Sequence, residues 1–176
     1  STAAESESFL LQPAAQSQES YSQPPLELQN GNLVFGQQIG YGGHGRVYRC
    51  TVLPGRNQNL VVKTPRRESG DNERELQVLK HASENVAHKS LLRLLHYIPR
   101  GEGRHWLLFE SYPESLRCFV ARCAECGCSP TKSTILSLSK QLCSALDHLH
   151  KISVIHRDIK PSNILLKPDD DAWVMV

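Results

Sequence analysis

The first 45 residues contain no lysine or arginine, and nowhere does the chain carry a dense basic run. Binding to nucleic acid or to an anionic membrane usually leaves such a run, so neither is expected as the main partner. No apolar stretch approaches the roughly 20 residues that cross a bilayer. Residues 1–32 lack a basic start, and their only apolar cluster is Phe9-Leu10-Leu11, so no secretory signal is expected. With neither signal nor span, the expected compartment is reducing, cytoplasm or nucleus, where the six cysteines are thiols. Internal repeats are also missing, and the chain does not begin with Met, so a fragment or processed product is expected.

At 176 residues, 39% hydrophobic and 22% charged, the chain can build one domain with a substantial core. All 20 Lys and Arg lie after residue 45, together with only 14 of the 18 acidic residues. That mild basic excess suits a polyphosphate ligand. Four cysteines crowd together as Cys118, Cys123, Cys126 and Cys128, a spacing superficially like that of a metal site. If residues 115–124 are helical, Cys118 and Cys123 point about 140° apart, and no His completes a set. Unpaired thiols on a helix and its following loop are the expectation.

Residues 1–32 are rich in Ser, Gln, Pro and Glu and are expected to be disordered, because they cannot bury enough apolar surface to offset ordering entropy. From residue 33 the pattern changes. Residues 33–39, 46–51 and 60–63 are short β-prone runs separated by turn residues, which predicts a small antiparallel sheet. A short helix is predicted over 71–81, with Asp71 or Asn72 as its N-cap. Strands are predicted over 91–98 and 105–109. The strongest helix spans 131–150, where Ile135, Leu138, Leu142, Ala145, Leu146 and Leu149 recur at helical spacing. A polar loop at 156–163, a strand at 164–166, a turn at 167–171 and a strand at 172–176 follow.

Three groups of residues carry chemistry. Gly40-Tyr41-Gly42-Gly43-His44-Gly45-Arg46-Val47 is a Gly-rich hairpin that lets backbone N–H groups approach phosphate oxygens without obstruction, and the strand after it argues against a dinucleotide site, which would open a helix. Lys63 ends the third strand and Glu75 lies on the next helix, where a carboxylate steadies an ammonium toward phosphates. The string His156-Arg157-Asp158-Ile159-Lys160-Pro161-Ser162-Asn163 holds a carboxylate to orient a hydroxyl and accept its proton, a cation for a γ-phosphate, and an oxygen ligand for metal. Asp158, Lys160 and Asn163 supply these in order.

On these motifs, residues 33–176 resemble the first part of a eukaryotic protein kinase domain. The resemblance implies an α+β fold. Residues 33–112 would form an antiparallel-sheet N-lobe with one helix, and residues 113–176 the start of a helical C-lobe that stops before the family's Asp-Phe-Gly. It implies ATP and Mg²⁺ as cofactors and protein hydroxyls as substrates, with Lys160 marking the Ser/Thr type. Phe109 would stand beside the adenine and Glu110-Ser111-Tyr112 would be the hinge. Ile39, Val47, Val61 and Leu165 would line the purine pocket, with Val61 replacing the family's usual Ala and narrowing it.

Within the family the likeness is to the glycogen synthase kinase and cyclin-dependent kinase group. It rests on Asn72-Glu73-Arg74-Glu75-Leu76-Gln77, Tyr112-Pro113-Glu114-Ser115 and Leu166-Lys167-Pro168-Asp169. That likeness implies that Arg74 and Arg157 can help bind a phosphate already on the substrate. Much of the cover for the stripe on 131–150 is expected from helices after Val176. The alternative is a truncated or pseudokinase module that binds nucleotide and regulates without phosphorylating. Nothing in the residues specifies an oligomeric state.

Overall fold

Strand alternation organises the first half of the molecule. In Leu60-Val61-Val62-Lys63, successive side chains leave on opposite faces of a sheet, so Val61 and Lys63 share one face and Leu60 and Val62 the other. Both faces need cover, because both carry apolar residues. In the computed structural model, which describes residues 33–42, 45–53, 59–65, 72–84, 87–167 and 172–175, each face has its own cluster. Leu60 and Val62 join Leu33, Cys50, Ile98 and Leu108 on the outer face. On the inner face Val61 joins Leu76, Leu107 and Phe109.

The elements are β1 (Leu33–Gly42), β2 (Gly45–Val52), β3 (Leu60–Thr64), α1 (Glu73–Glu84), β4 (His96–Pro99) and β5 (His105–Glu110), then β6 (Glu114–Ser115), α2 (Leu116–Glu125), α3 (Lys132–Lys151), β7 (Ile164–Lys167) and β8 (Ala172–Met175). A five-stranded sheet runs β1-β2-β3-β5-β4, and the pairings are antiparallel. A second, three-stranded sheet runs β6-β7-β8. This is the antiparallel-sheet lobe with one helix, followed by helical structure, that the α+β expectation described.

Several expectations change in detail. The strand predicted over 91–98 is regular only from His96, because Leu92 and Leu94 are drawn into the α1-side cluster and Leu91 into a different one against α3. Packing toward two clusters, not a ladder, uses those leucines. Helix α1 runs to Glu84, three residues past its predicted end, because Ala82 packs against the Ala145 and Leu149 cluster and the His81 ring meets the Ile152 carbonyl at 3.1 Å. Asn72 does not cap α1 with its side chain. Its amide instead donates to the His105 carbonyl at 3.0 Å and accepts from the His105 N–H at 2.8 Å, tying the helix start to β5. The short β6 was not anticipated; two residues give no periodicity to read. The expected disorder of 1–32, Gly43-His44 of the hairpin, the alternative cap Asp71, most of the turn at 167–171, and Val176 lie outside the described residues.

The stripe on α3 is unevenly covered. Ala145 and Leu149 are buried beneath Ala82, Leu91, Ile152 and Val154, whereas Ile135 is 52% exposed. Truncating Leu149 to Ala is therefore expected to cost about 2–5 kcal/mol, and Ile135→Ser to stay within about 0.5 kcal/mol. Urea unfolding of the two variants measures the difference. Equal costs would show that the two ends of α3 are equally covered.

Candidate active site

The Gly-rich hairpin joins β1 to β2, and its glycines are not equivalent. Gly45 has φ +136°, and a Cβ there would meet the Thr64 carbonyl oxygen at 2.1 Å. Gly45 is therefore required by the close approach of β2 to β3. A Cβ at Gly42 would meet nothing within 4 Å, which leaves that face of the hairpin open to a ligand.

Behind the hairpin, Val47 sits opposite Lys63 in the β2–β3 ladder and Val61 sits opposite Phe109 in the β3–β5 ladder. Alternation then brings Val47, Val61, Lys63 and Phe109 to one face, against α1. Lys63 Nζ donates to Glu75 Oε1 at 2.5 Å, and both side chains are partly shielded from solvent. The helix is positioned for this by the adjacent Leu76, only 1% exposed, which plugs the inner face of the sheet. Arg46 does not join the set. It leaves β2 on the opposite face, where with Phe35, Tyr48, Thr64, Arg100 and Trp106 it lines a cavity of about 550 Å³. Ile39 is exposed on β1, and Tyr41, also exposed, lies under the Arg46 guanidinium at 5.7 Å.

At the end of β5 the backbone N–H of Ser111 donates to the Asn59 carbonyl at 2.7 Å. The Ser111 amide is thus spent on the sheet and not on a ligand edge. The Tyr112 hydroxyl donates to Glu110 Oε2 at 3.2 Å. Burial, reinforced by the Glu110 charge, pushes the Tyr112 phenol well above its ordinary pKa, so it stays a neutral donor. Leu165, half-buried on β7, belongs to the second sheet opposite Ser115 and Val174.

The polar loop closes on itself around Asp158. Lys160 Nζ donates to Asp158 Oδ2 at 2.7 Å, and the Asn163 amide donates to the same oxygen and to the Asp158 carbonyl, both at 2.9 Å. The Asp158 N–H in turn donates to His156 Nδ1 at 3.2 Å. Arg157 between them takes φ +66°, in the left-handed region that non-glycine residues seldom adopt. A 3₁₀ turn at Pro161–Asn163 then delivers the chain into β7. Because the Asn163 nitrogen is committed to Asp158, its carbonyl oxygen is what it can offer a cation. Among the described residues no group of three or more His, Cys, Asp or Glu could hold a metal ion.

Arg74 and Arg157 are both exposed, on α1 and in the loop respectively. Sequence reasoning missed Asn72 and His156 as supporting residues. The first looks like an ordinary helix cap in sequence. The second carried a signal, its place at the head of the loop motif.

A test of the hairpin follows from its geometry. Gly45→Ala is expected to destabilise the protein by about 1–3 kcal/mol, whereas Gly42→Ala should change stability by less than about 0.5 kcal/mol. Thermal unfolding separates the two, and equal shifts would contradict the close approach to Thr64.

The profile of the protein kinase domain family matches residues 33–175. The chain is 30% identical over 143 residues to cyclin-dependent kinase 1 of Encephalitozoon cuniculi, covering 77% of this chain and 46% of that protein. It is 32% identical over 154 residues to cysteine-rich receptor-like protein kinase 8 of Arabidopsis thaliana, covering 82% of this chain and 21% of the relative. A G-type lectin S-receptor-like serine/threonine-protein kinase of the same plant is 31% identical over 150 residues, covering 80% of this chain and 17% of the relative. The chain thus spans about half or less of these relatives. Its identity is shared almost evenly between a cyclin-dependent kinase and receptor-like kinases, which gives the narrower group likeness only weak support.

Proposed function

Because the chain belongs to the protein kinase domain family, we propose that it carries the nucleotide-binding and phosphoryl-transfer residues of a Ser/Thr protein kinase acting on protein hydroxyls. The observation that carries this is the loop in which one carboxylate, Asp158, is gripped by both Lys160 and Asn163. A carboxylate so held is pre-oriented to accept a hydroxyl proton, and it loses little freedom when a substrate arrives.

The residues present fit a nucleotide triphosphate. The hairpin leaves the Gly42 side open, and Lys63 is already aimed by Glu75. ATP, when bound with Mg²⁺, supplies the transferable γ-phosphoryl group and the charge neutralisation it needs. Lys63 would then hold phosphate oxygens, Asn163 would offer its carbonyl oxygen to the metal, and Lys160 would stand beside the transferred group. Val47, Val61 and Phe109 would meet the purine, with Ile39 and Leu165 as further candidate walls. Val61 narrows that pocket compared with Ala. Arg74 and Arg157 are the candidate contacts to a substrate that already carries phosphate.

The decisive experiment measures ATP binding and γ-phosphoryl transfer separately, in a protein spanning the whole kinase domain. Asp158→Asn is expected to lower transfer by roughly 10²–10⁴-fold while leaving ATP affinity nearly unchanged. Normal turnover in the variant would remove Asp158 from its role. Nucleotide binding without transfer in the unaltered protein would favour a regulatory module instead.

A second expectation concerns the ion pair. Loss of a charge-assisted contact costs about 1.5–3 kcal/mol, so Lys63→Met should slow transfer by roughly 10- to 150-fold. Glu75→Gln should follow with a smaller effect. A double-mutant cycle checks the coupling, and simply additive effects would mean that the two residues act independently.

A further inference from the structure

The end of α2 is built so that two thiols meet. Cys126 caps the helix, Gly127 follows at φ +64°, and two backbone bonds lock the turn: Gly127 N–H to the Ala124 carbonyl at 3.2 Å and Cys128 N–H to the Cys123 carbonyl at 2.9 Å. This pair of bonds, with a left-handed glycine between them, is a Schellman cap. It reverses the chain across one residue and sets the Cys126 and Cys128 sulfurs 2.7 Å apart. Both residues are exposed, whereas the neighbouring Cys123 is buried. Cys118, one and a half turns earlier, contacts Ser115 Oγ at 3.3 Å.

We propose that Cys126 and Cys128 form a reversible dithiol–disulfide couple that is oxidised by hydroperoxides and reduced by dithiols. The two thiols are unequal, as an attacking and a resolving thiol should be. The hydrogen bond from Cys128 holds the Cys126 thiol below its ordinary pKa, with help from the Arg122 charge. The same hydrogen bond and partial desolvation push Cys128 up to about 11.

In the first step the Cys126 thiolate attacks one peroxide oxygen. An S–O bond forms, the O–O bond breaks, and the leaving hydroxide takes a proton to become water. The Cys128 sulfur then attacks the Cys126 sulfenic acid. An S–S bond forms, the S–O bond breaks, and hydroxide leaves with the Cys128 proton as a second water. Two thiols are oxidised by two electrons in total, and one hydrogen peroxide is reduced to two waters.

The Schellman turn matters because it removes the search for a partner. A sulfenic acid on Cys126 meets Cys128 before it can be oxidised further. Helix α2 packs against the turn at Pro161–Asn163 and against β7, so the couple sits at the end of an element that touches the Asp158 loop.

The test exposes the full chain to hydrogen peroxide and blocks remaining thiols with iodoacetamide. Mass spectrometry then reads the tryptic segment 123–132, which contains Cys123, Cys126 and Cys128. The expected product is lighter by two hydrogen atoms, loses two of its three alkylation sites, and regains them after dithiothreitol. Cys123→Ser should leave that product intact. Cys128→Ser should abolish it and leave Cys126 as a sulfenic acid that dimedone labels. Cys126→Ser should abolish both the product and the label. A disulfide that survives in Cys126→Ser or Cys128→Ser, or that uses Cys123, overturns the proposal. So does an unaltered chain that carries dimedone-reactive or over-oxidised sulfur in place of the disulfide.

Discussion

An ammonium group on a four-carbon stem does not hold still unless something across a gap holds it, and in this protein the gap lies between a sheet and a helix. Lys63 Nζ and Glu75 Oε1 are 2.5 Å apart although they arise from β3 and α1. The pair forms only if α1 lies flat on the inner face of the sheet. Leu76, next to Glu75, secures that by filling the space against Val61, Leu107 and Phe109. Asn72 secures the start of the helix by trading two hydrogen bonds with the His105 backbone. Core packing, helix docking and the aiming of Lys63 are thus one requirement met by neighbouring residues.

The Asp158 loop depends on a different device. Its carboxylate is fixed by residues two and five positions further on, so its orientation is largely local and survives on the strength of a short polar sequence. What tertiary structure adds is the platform. The β6–β7–β8 sheet anchors the loop's exit, and within that sheet Val174 is 1% exposed and Ile164 4%. A locally made site on a distant anchor can be read from sequence; one made across a gap, such as Lys63 and Glu75, is read only as a spacing.

Helix ends show the same division. Thr131 caps α3 by accepting from the Thr134 N–H at 3.1 Å, and Ser115 caps α2 by accepting from the Cys118 N–H at 3.3 Å. Asn72 stands in the corresponding place before α1 but spends its side chain on β5. Propensity identifies a residue able to cap. Whether it caps depends on which unpaired backbone group lies nearer once the chain has folded.

By itself, the sequence determined the elements whose pattern is strong and local. The three strands around the Gly-rich hairpin, the long helix after Thr131 and the loop around Asp158 all stand close to where their periodicity and turn residues put them. The protein kinase family followed from the same strings, which the family profile matches over residues 33–175. The tertiary structure alone decided which face each residue serves. It sent Arg46 to the outer face of the sheet, away from Lys63, and divided Leu91–Leu94 between two clusters rather than one strand. It also buried one end of the α3 stripe while leaving Ile135 in solvent. The physical reason is common to all three. A periodic pattern states that a face must be covered, but what covers it comes from residues far away in the chain.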